Sequence, residues 1–434
     1  SLTLFSSMTR ADAALQLQHL LDEHWAMAQQ EQVFFRTDPD TYRPHGQLAD
    51  VSAVGRQRRR AFNEAMLAKL ATINAAALNG QERISYQLFR YERETERASY
   101  DSKDHFFPFT SLFGYHTYFD AAPANMDFSS LQDYERFLTS LEDFPRYNAQ
   151  YMTAIEEAVD AGYTHYCASI RDYGQTISGL IVDDPEQSAL YAPFKQLPAT
   201  LAASDAKRLR ARGKEVIATA VMPAYRSLFD LFSETYLPAC RKQPGLGSLP
   251  GGAEYYRYLL RYFTTTDMSP ADIHQLGISE TSRIRTEMDA IIKQTGFAGD
   301  FQQFLTFLRT DPQFYASDSR DLLEKTALIA KRMDGLMPRF FGTLARNTYE
   351  IRPSSSRGAY YVSGASDGSS AGIYFIMTSD PSRQPLYSME ALTLHEAVPG
   401  HHHQSTLAME LDLPPFRRTL YHAAFGEGWG LYAE

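Results

Sequence analysis

One stretch of the sequence, from His395 to Gln404, constrains the fold more than any other. It reads HEAVPGHHHQ and sets several imidazoles beside a carboxylate, in an apolar helical pattern with Leu392, Leu394 and Val398. A buried carboxylate beside histidines, with no basic residue near it in the sequence, is costly unless a cation is present. The apolar flanks therefore favour a buried metal-binding group over an exposed histidine tract at the end of a helix.

The spacing of the histidines excludes a regular helix as the scaffold of this group. A partner for His395 one turn later would lie at i+4, but that position is Pro399. On a straight helix, His401 points about 240° away from His395, and His402 lies about 10.5 Å further along the axis. Two nitrogens that each lie about 2.0–2.1 Å from one zinc ion cannot be so far apart.

Pro399 and Gly400 provide a way to break the helix between the histidines. Pro399 has no N–H and leaves the carbonyl of His395 without its usual donor. Gly400 adopts backbone angles that other residues avoid. A bulge or a two-residue insertion would bring His401 to the place where i+4 normally falls. We therefore expect His395 and His401 as metal ligands, with His402 as the rival for the second place.

A second acidic signal, Glu427 followed by Gly428 and Trp429, lies further along the chain. Imidazoles plus a distant carboxylate are the ligand set of a catalytic Zn²⁺ that keeps one position open for water. We expect Glu427 as the third ligand and Glu396 as the general base. The pattern predicts a zinc-dependent hydrolase, with a peptide as the first expected substrate. A zinc hydrolase of a small non-peptide amide or ester and a non-catalytic binding relative are the alternatives.

At these residues the chain resembles the DUF885 family of bacterial proteins, which are grouped with the gluzincin-type metallopeptidases. The resemblance implies metal ligands at His395, Glu427 and either His401 or His402, with Glu396 as the base. It rests on HEAVPGHHHQ, on EGWGLYAE from Glu427 to Glu434, and on Tyr360-Tyr361, Asp367-Gly368, Gly251 to Tyr256 and Ser269 to Gly277. Relatives continue beyond Glu434, where the helical pattern is still running, so we expect a catalytic domain that is truncated at its C-terminus.

Further groups are expected around the metal. A hydrogen-bond donor should stabilise the oxyanion that forms when water attacks a carbonyl, and we favour Tyr361 and Tyr256 for this role. With 27 tyrosines in the chain, any single one belongs to the core more often than to a site. The other candidate donors are Tyr255, Tyr360, Tyr421 and His422. Glu390, Gln404 and Glu434 are candidates for orienting the ligand imidazoles.

The remaining patterns predict a mainly α fold, and the resemblance implies a central cleft like that of large helical metallopeptidases. The helix that Ser130 opens should be interrupted by Pro145, and Ser269 with Pro270 should begin another helix. A β-hairpin of residues 359–363 and 372–377 should lie beside the metal-binding helix. The resemblance implies that its strand holds an extended peptide, with a plain structural hairpin as the alternative. We expect a helical domain over 1–240 that forms one wall of the cleft, and a catalytic domain over 241–434.

The composition of the chain limits the kinds of partner and compartment that we expect. The net charge is −10 and no basic stripe dominates, so a nucleic-acid partner is not expected. The one basic run, residues 56–60, is interpreted as a solvated helix face rather than a phosphate site. Cys167 and Cys240 are too few for a disulfide framework, although a single bridge stays open. No apolar run is long enough for a membrane span. Localisation stays open, since removal of a leader before Ser1 would be compatible with the periplasm or cell envelope.

Overall fold

The computed structural model describes residues 10–31, 43–354, 358–365 and 368–434. Across these residues the chain is mainly helical and has one small three-stranded sheet, which confirms the predicted fold class. Asp367, a part of the family resemblance, lies outside the described residues. Among the described helices, none combines the length and apolar character that crossing a membrane requires.

The described residues pack as two compact units. The first holds residues up to Tyr258 together with Pro414–Phe416, and the second holds Leu259–Leu413 and Arg417–Glu434. The predicted division at residue 240 and the predicted cleft stay predictions.

The first unit consists of helices joined by turns. These helices are α1 (Arg10–Gln30), α2 (Ala53–Ala71), α3 (Gly80–Asp101), α4 (Tyr115–Ala121), α5 (Leu131–Asp160), α6 (Cys167–Ile170), α7 (Gly174–Ser178), α8 (Ala192–Lys195), α9 (Ala203–Val216), α10 (Met222–Leu231) and α11 (Gly252–Thr264), whose last residues belong to the second unit. Wider π-helical turns at Ile217–Val221 and Phe232–Tyr236 follow α9 and α10.

Helix α5 corrects the prediction that Pro145 interrupts the helical pattern. The helix begins at the Ser130 cap, as predicted, but it then runs through Pro145 to Asp160. Phe144 and Tyr147 on either side of the proline are buried in the core. Burial of such large side chains offsets the roughly 3 kcal/mol that a proline costs inside a helix.

The cores of the first unit are apolar and rich in aromatic rings. The larger core gathers buried residues of α4, α5, α9 and α10. A smaller one joins Leu17 and Leu21 of α1 to Met66 and Leu70 of α2. A disulfide links Cys167 to Cys240, 73 residues apart in the sequence. The bridge that the sequence left open is therefore present.

The arginines of the basic run 56–60 are paired with acidic side chains. Arg58 and Arg59 both contact Glu31, and Arg56 and Arg60 contact Glu157 and Asp101. Arg58 and Arg60 are exposed, whereas Arg56 and Arg59 are largely covered, so the interpretation as a solvated helix face holds for only part of the run.

The second unit combines helices with the sheet. Its elements are α12 (Pro270–Gln294), α13 (Phe301–Thr310), α14 (Ser319–Phe340), β1 (Tyr349–Ser354), β2 (Tyr360–Val362), β3 (Gly372–Met377), α15 (Leu386–Glu396), α16 (His401–Glu410), the end of α17 (Pro415–Thr419) and α18 (Ala423–Ala433). The predicted helix start at Ser269 is confirmed, since its side chain accepts a hydrogen bond from the Asp272 N–H and Pro270 occupies the first turn.

The sheet has the strand order β1-β3-β2. Strands β2 and β3 pair antiparallel, with Tyr361 opposite Tyr374, which confirms the predicted hairpin. Strand β1 pairs parallel to β3 and was not predicted. Tyr374 and Ile376 of β3 are fully buried, and with Met389 of α15 they form the core of this unit. The sheet thus packs against helix α15, which carries His395 and Glu396.

Candidate metal centre

The helical pattern of the motif is broken at Pro399 and Gly400, as the sequence predicted. Helix α15 ends at Glu396 and α16 begins at His401, so residues 397–400 lie outside both helices. The Gly400 N–H donates to the Leu394 carbonyl at 2.9 Å, and the His402 N–H donates to the Ala397 carbonyl at 3.1 Å. The Gly400 bond spans six residues where a helix spans four, so the break adds two residues to the helical spacing, as predicted, within a non-helical segment of four residues.

Gly400 is required by a close approach of the backbone. A Cβ at this position would overlap the carbonyl oxygens of His395 and Leu394. No side chain fits there, because the chain folds back directly onto the last turn of α15. This return brings His401 next to His395, with the two rings 4.6 Å apart between centroids and nearly perpendicular.

His395, His401 and Glu427 converge on one point. The His395 Nε2 lies 3.4 Å from the Glu427 Oε2, and the His401 Nε2 lies 3.6 Å from the same oxygen. All three potential ligand atoms lie within 4.8 Å of one another. Ligand atoms about 2.0–2.1 Å from a tetrahedral zinc ion are roughly 3.4 Å apart. The spacing of the three side chains therefore suits such an ion.

The ring of His395 packs directly on helix α18 at Gly430. A Cβ on Gly430 would lie only 2.6–2.9 Å from three ring atoms of His395. Gly430 lies between Glu427 and Glu434 on the helix, so the ring spans the gap between the two carboxylates. The His395 Nδ1 lies 2.8 Å from the Glu434 Oε1. A proton on Nδ1 donated to Glu434 leaves the Nε2 lone pair facing Glu427.

The Trp429 of the EGW segment ties α18 to the helix break. Its Nε1 donates to the Pro399 carbonyl at 2.7 Å, and its ring packs against Phe341. The Gln404 Nε2 donates to the Phe425 carbonyl at 3.2 Å and joins α16 to α18 in the same way. These bonds hold the carboxylates of α18 against the two histidines.

Glu427 itself is held by Tyr421. The Tyr421 hydroxyl donates to the Glu427 Oε1, while Oε2 faces the histidines. Burial alone would raise the pKa of Glu427, but the bond from Tyr421 and the nearby His401 and His395 lower it. The carboxylate is therefore ionised at neutral pH, as a metal ligand must be.

Glu396 is a buried carboxylate at the end of α15. It is 6% exposed, and none of the described residues donates a hydrogen bond to its Oε2. Burial raises the pKa of Glu396 to about 7, with a further increase from Glu427 that His395 opposes. A buried acid without a donor is rare in stable structures and is typical of functional positions.

His402 and Tyr361 lie together but away from the three converging side chains. The Tyr361 hydroxyl is 2.9 Å from the His402 Nδ1, and Thr406 lies 3.4 Å from the same nitrogen. Burial lowers the pKa of His402 to about 4, so the ring is neutral. The structure brings His401, and not its neighbour His402, to Glu427. Tyr361 contacts the rival histidine, so its predicted role as oxyanion donor stays a prediction.

The remaining candidates are distributed as follows. His403 is buried against the ring of Phe341. Tyr256 belongs to the first unit and is 44% exposed, so its predicted role stays a prediction. Its neighbour Tyr255 is buried and donates to Asp104 at 2.8 Å. Glu390 is exposed.

One side of the converging group is open. The side chain of Glu427 is 58% exposed, whereas those of His395 and His401 are 17% and 13% exposed. Structural zinc sites use four protein ligands, while catalytic sites use three and leave one position for water or substrate. The converging group has three such side chains and one exposed edge.

The chain is similar to one protein family and to a solved structure. Residues 35–434 match the family described as "Bacterial protein of unknown function (DUF885)". The fold is similar to "The crystal structure of the putative lipoprotein from Colwellia psychrerythraea", with a TM-score of 0.79 and 21% identity over 98% of this chain and 77% of that one. None of the curated proteins compared with the chain matches it. Because the family match spans nearly the whole sequence, this chain belongs to the DUF885 family.

Proposed function

We propose that the protein is a zinc-dependent hydrolase that cleaves peptide bonds. The observation that carries the proposal is the convergence of His395, His401 and Glu427 within 4.8 Å, next to the buried carboxylate of Glu396. Two imidazoles and one carboxylate form the donor set of catalytic zinc in several peptidases. The resemblance of the motif to gluzincin-type metallopeptidases supports the same conclusion.

The residues present fit a zinc ion on chemical grounds. Imidazole nitrogens suit zinc, and a carboxylate oxygen completes a three-ligand set that leaves one position open. Glu434 orients the first imidazole in the manner usual for ligand histidines, through a bond to the other ring nitrogen. The Oε2 of Glu396, which lacks a donor among the described residues, is free to accept a proton.

The side chains around the ion have separate tasks in this proposal. A bound Zn²⁺ would supply Lewis acidity, which acidifies water and polarises a carbonyl oxygen. Glu396 accepts the proton from the attacking water and passes it to the leaving amine. His395, His401 and Glu427 would hold the ion, and Glu434 keeps the His395 ring in place. The exposed edge at Glu427 is where a substrate would enter.

The disulfide bears on the compartment in which the protein works. Disulfides persist in oxidising compartments and are rare in the cytosol. The bridge between Cys167 and Cys240 therefore favours an extracytoplasmic location in our proposal.

Metal analysis followed by digestion of a peptide mixture tests the function. We expect one zinc ion per chain and cleavage products by mass spectrometry, which disappear in Glu396→Gln while zinc is retained. Cleavage of small amides or esters but not peptides would favour the alternative hydrolase. Equal behaviour of wild type and Glu396→Gln in every assay would favour a non-catalytic relative.

A further inference from the structure

We infer that Tyr421 is a positioning residue that makes Glu427 a one-oxygen metal ligand. The inference rests on the proposed function, because it concerns how the third ligand of the same site is presented. It assigns a role to Tyr421 and to Gly426, against which the tyrosine ring packs.

The two oxygens of Glu427 have different partners. The Tyr421 hydroxyl donates to Oε1, and both histidine Nε2 atoms lie nearest to Oε2, at 3.4 and 3.6 Å. A carboxylate whose one oxygen accepts a strong hydrogen bond presents mainly the other oxygen to a cation. Tyr421 thus selects the oxygen and sets the rotation of the carboxylate.

The bonds of Trp429 and Gln404 position helix α18, but they do not restrain the side chain of Glu427 itself. The side chain of Glu427 is 58% exposed, so packing restricts it only on one side. A long flexible side chain at such a position loses rotamer freedom when it binds an ion, and that loss opposes binding. A tyrosine that orders the carboxylate before the ion binds reduces this entropic cost. Side chains that hydrogen-bond to a metal ligand usually have this effect.

The glycines of α18 show that the Tyr421 ring packs against the helix where a side chain is absent. A Cβ on Gly426 would overlap ring atoms and the hydroxyl oxygen of Tyr421. Two residues later, Gly428 has nothing within 4 Å of the position of its Cβ. The ring therefore lies directly on the helix at Gly426, one residue before the carboxylate it binds.

A purely structural role does not explain the position of Tyr421. Its side chain is 58% exposed and it is not part of a core cluster in the described residues. Removal of the hydroxyl should consequently leave the fold intact and act on the metal site alone.

Zinc affinity, measured by competition with a chelator, tests the inference in wild type, Tyr421→Phe, Gly426→Ala and Gly428→Ala. We expect Tyr421→Phe to weaken zinc binding about 10-fold or more, in the range of outer-shell changes at metal sites. Gly426→Ala should weaken it to a similar degree, and the double variant should be no weaker than the worse single variant. Gly428→Ala and Tyr432→Phe, whose ring is 81% exposed, are the controls and should bind as wild type does.

The visible spectrum of the Co²⁺-substituted protein is the second readout. We expect Tyr421→Phe to change the intensity of the cobalt bands, because a released carboxylate can bind through both oxygens and raise the coordination number. Stoichiometric zinc in wild type, with unchanged affinity and an unchanged cobalt spectrum in Tyr421→Phe, would overturn the inference and leave the proposed function standing. A wild-type protein that binds neither ion would overturn both.

Discussion

Histidines are buried in both compact units, but their surroundings differ. In the first unit, His116 is 1% exposed and packs against the rings of Tyr115 and Tyr173. Burial lowers its pKa to about 4, and no acidic group contributes. In the second unit, His395 and His401 face the carboxylate of Glu427. A histidine of the first kind serves packing, while one of the second kind is available to a cation.

Burial and clustering of imidazoles therefore do not by themselves identify a metal ligand. His402 lies next to His401 in the sequence and is more deeply buried, yet it resembles the histidines of the first unit. Its ring nitrogen contacts Tyr361, and burial lowers its pKa to about 4. What distinguishes His401 is a carboxylate oxygen within reach of its Nε2.

The adjacent pair His401 and His402 offers the strongest test of this contrast. We expect His401→Asn to lose stoichiometric zinc, measured by metal analysis after dialysis. His402→Asn should retain the metal but lower the free energy of unfolding by about 1–3 kcal/mol, because it disturbs a buried hydrogen-bonded pair. The reverse pattern, with zinc lost only in His402→Asn, would refute the assignment of ligands.

Reduction of the disulfide should lower the stability of the first unit, and it should leave zinc binding by the second unit unchanged. Chain-entropy arguments assign about 4 kcal/mol to a bridge that closes a loop of this length. We expect reductant to lower the midpoint of urea unfolding, and Cys167→Ala with Cys240→Ala to give the same shift. Because the chain has only these two cysteines, reductant should then have no effect on the double variant. An unchanged midpoint in reduced wild type would contradict the prediction.

Acid should destabilise the first unit through its buried histidines. Burial lowers the pKa of His116 from 6.5, the ordinary value that an unfolded chain would restore, to about 4 in the folded protein. Its contribution to stability is therefore complete above pH 6.5 and is lost as the pH falls towards 4. At pH 5 the loss from His116 alone is about 2 kcal/mol.

Denaturant unfolding between pH 7 and 5 measures this effect. We expect His116→Asn to be less stable than wild type at pH 7 but to lose less stability on acidification. Equal slopes of stability against pH in the two proteins would contradict the assignment.

Glu434→Gln should have the smallest effect. The amide oxygen can still accept from the His395 Nδ1, but without a negative charge the bond weakens. We expect zinc affinity to fall about 10-fold in a chelator competition. Glu390→Gln, at an exposed position of α15, is the matched control and should bind zinc as wild type does. A larger loss in the control than in Glu434→Gln would contradict the role of Glu434.

Prolines show how far the sequence alone can predict this fold. Pro399 ends a helix and Pro145 does not, although both lie in helical patterns. Next to Pro399 stands Gly400, whose lack of a Cβ lets the backbone return onto His395. Around Pro145 the side chains are large and buried, and tertiary packing keeps the helix continuous. The first break could be predicted because a local signal accompanied it, whereas the second depends on distant contacts.

The candidate metal centre was predictable in its residue types and only partly in its geometry. Spacing could not decide between His401 and His402, because the length of the insertion was unknown. Glu434 directly follows α18, and a straight helix would set it about 10.5 Å along the axis from Glu427. It still reaches the site, because the His395 ring spans that gap over Gly430. The role of Gly430 depends on which ring packs on it, and no local pattern contains that information.

Strand β1 was missed for a related reason. Its sequence holds Pro353 and the charged Glu350 and Arg352, which weaken the alternating apolar pattern of a strand. As an edge strand paired only with β3 in the described sheet, it tolerates both features.

Anomalous X-ray diffraction at the zinc absorption edge, on crystals of zinc-loaded protein, would locate the bound ion. We expect a single strong peak bounded by the Nε2 of His395, the Nε2 of His401 and the Oε2 of Glu427. A peak at His402 or His403, or no peak in protein that has been given zinc, would contradict it.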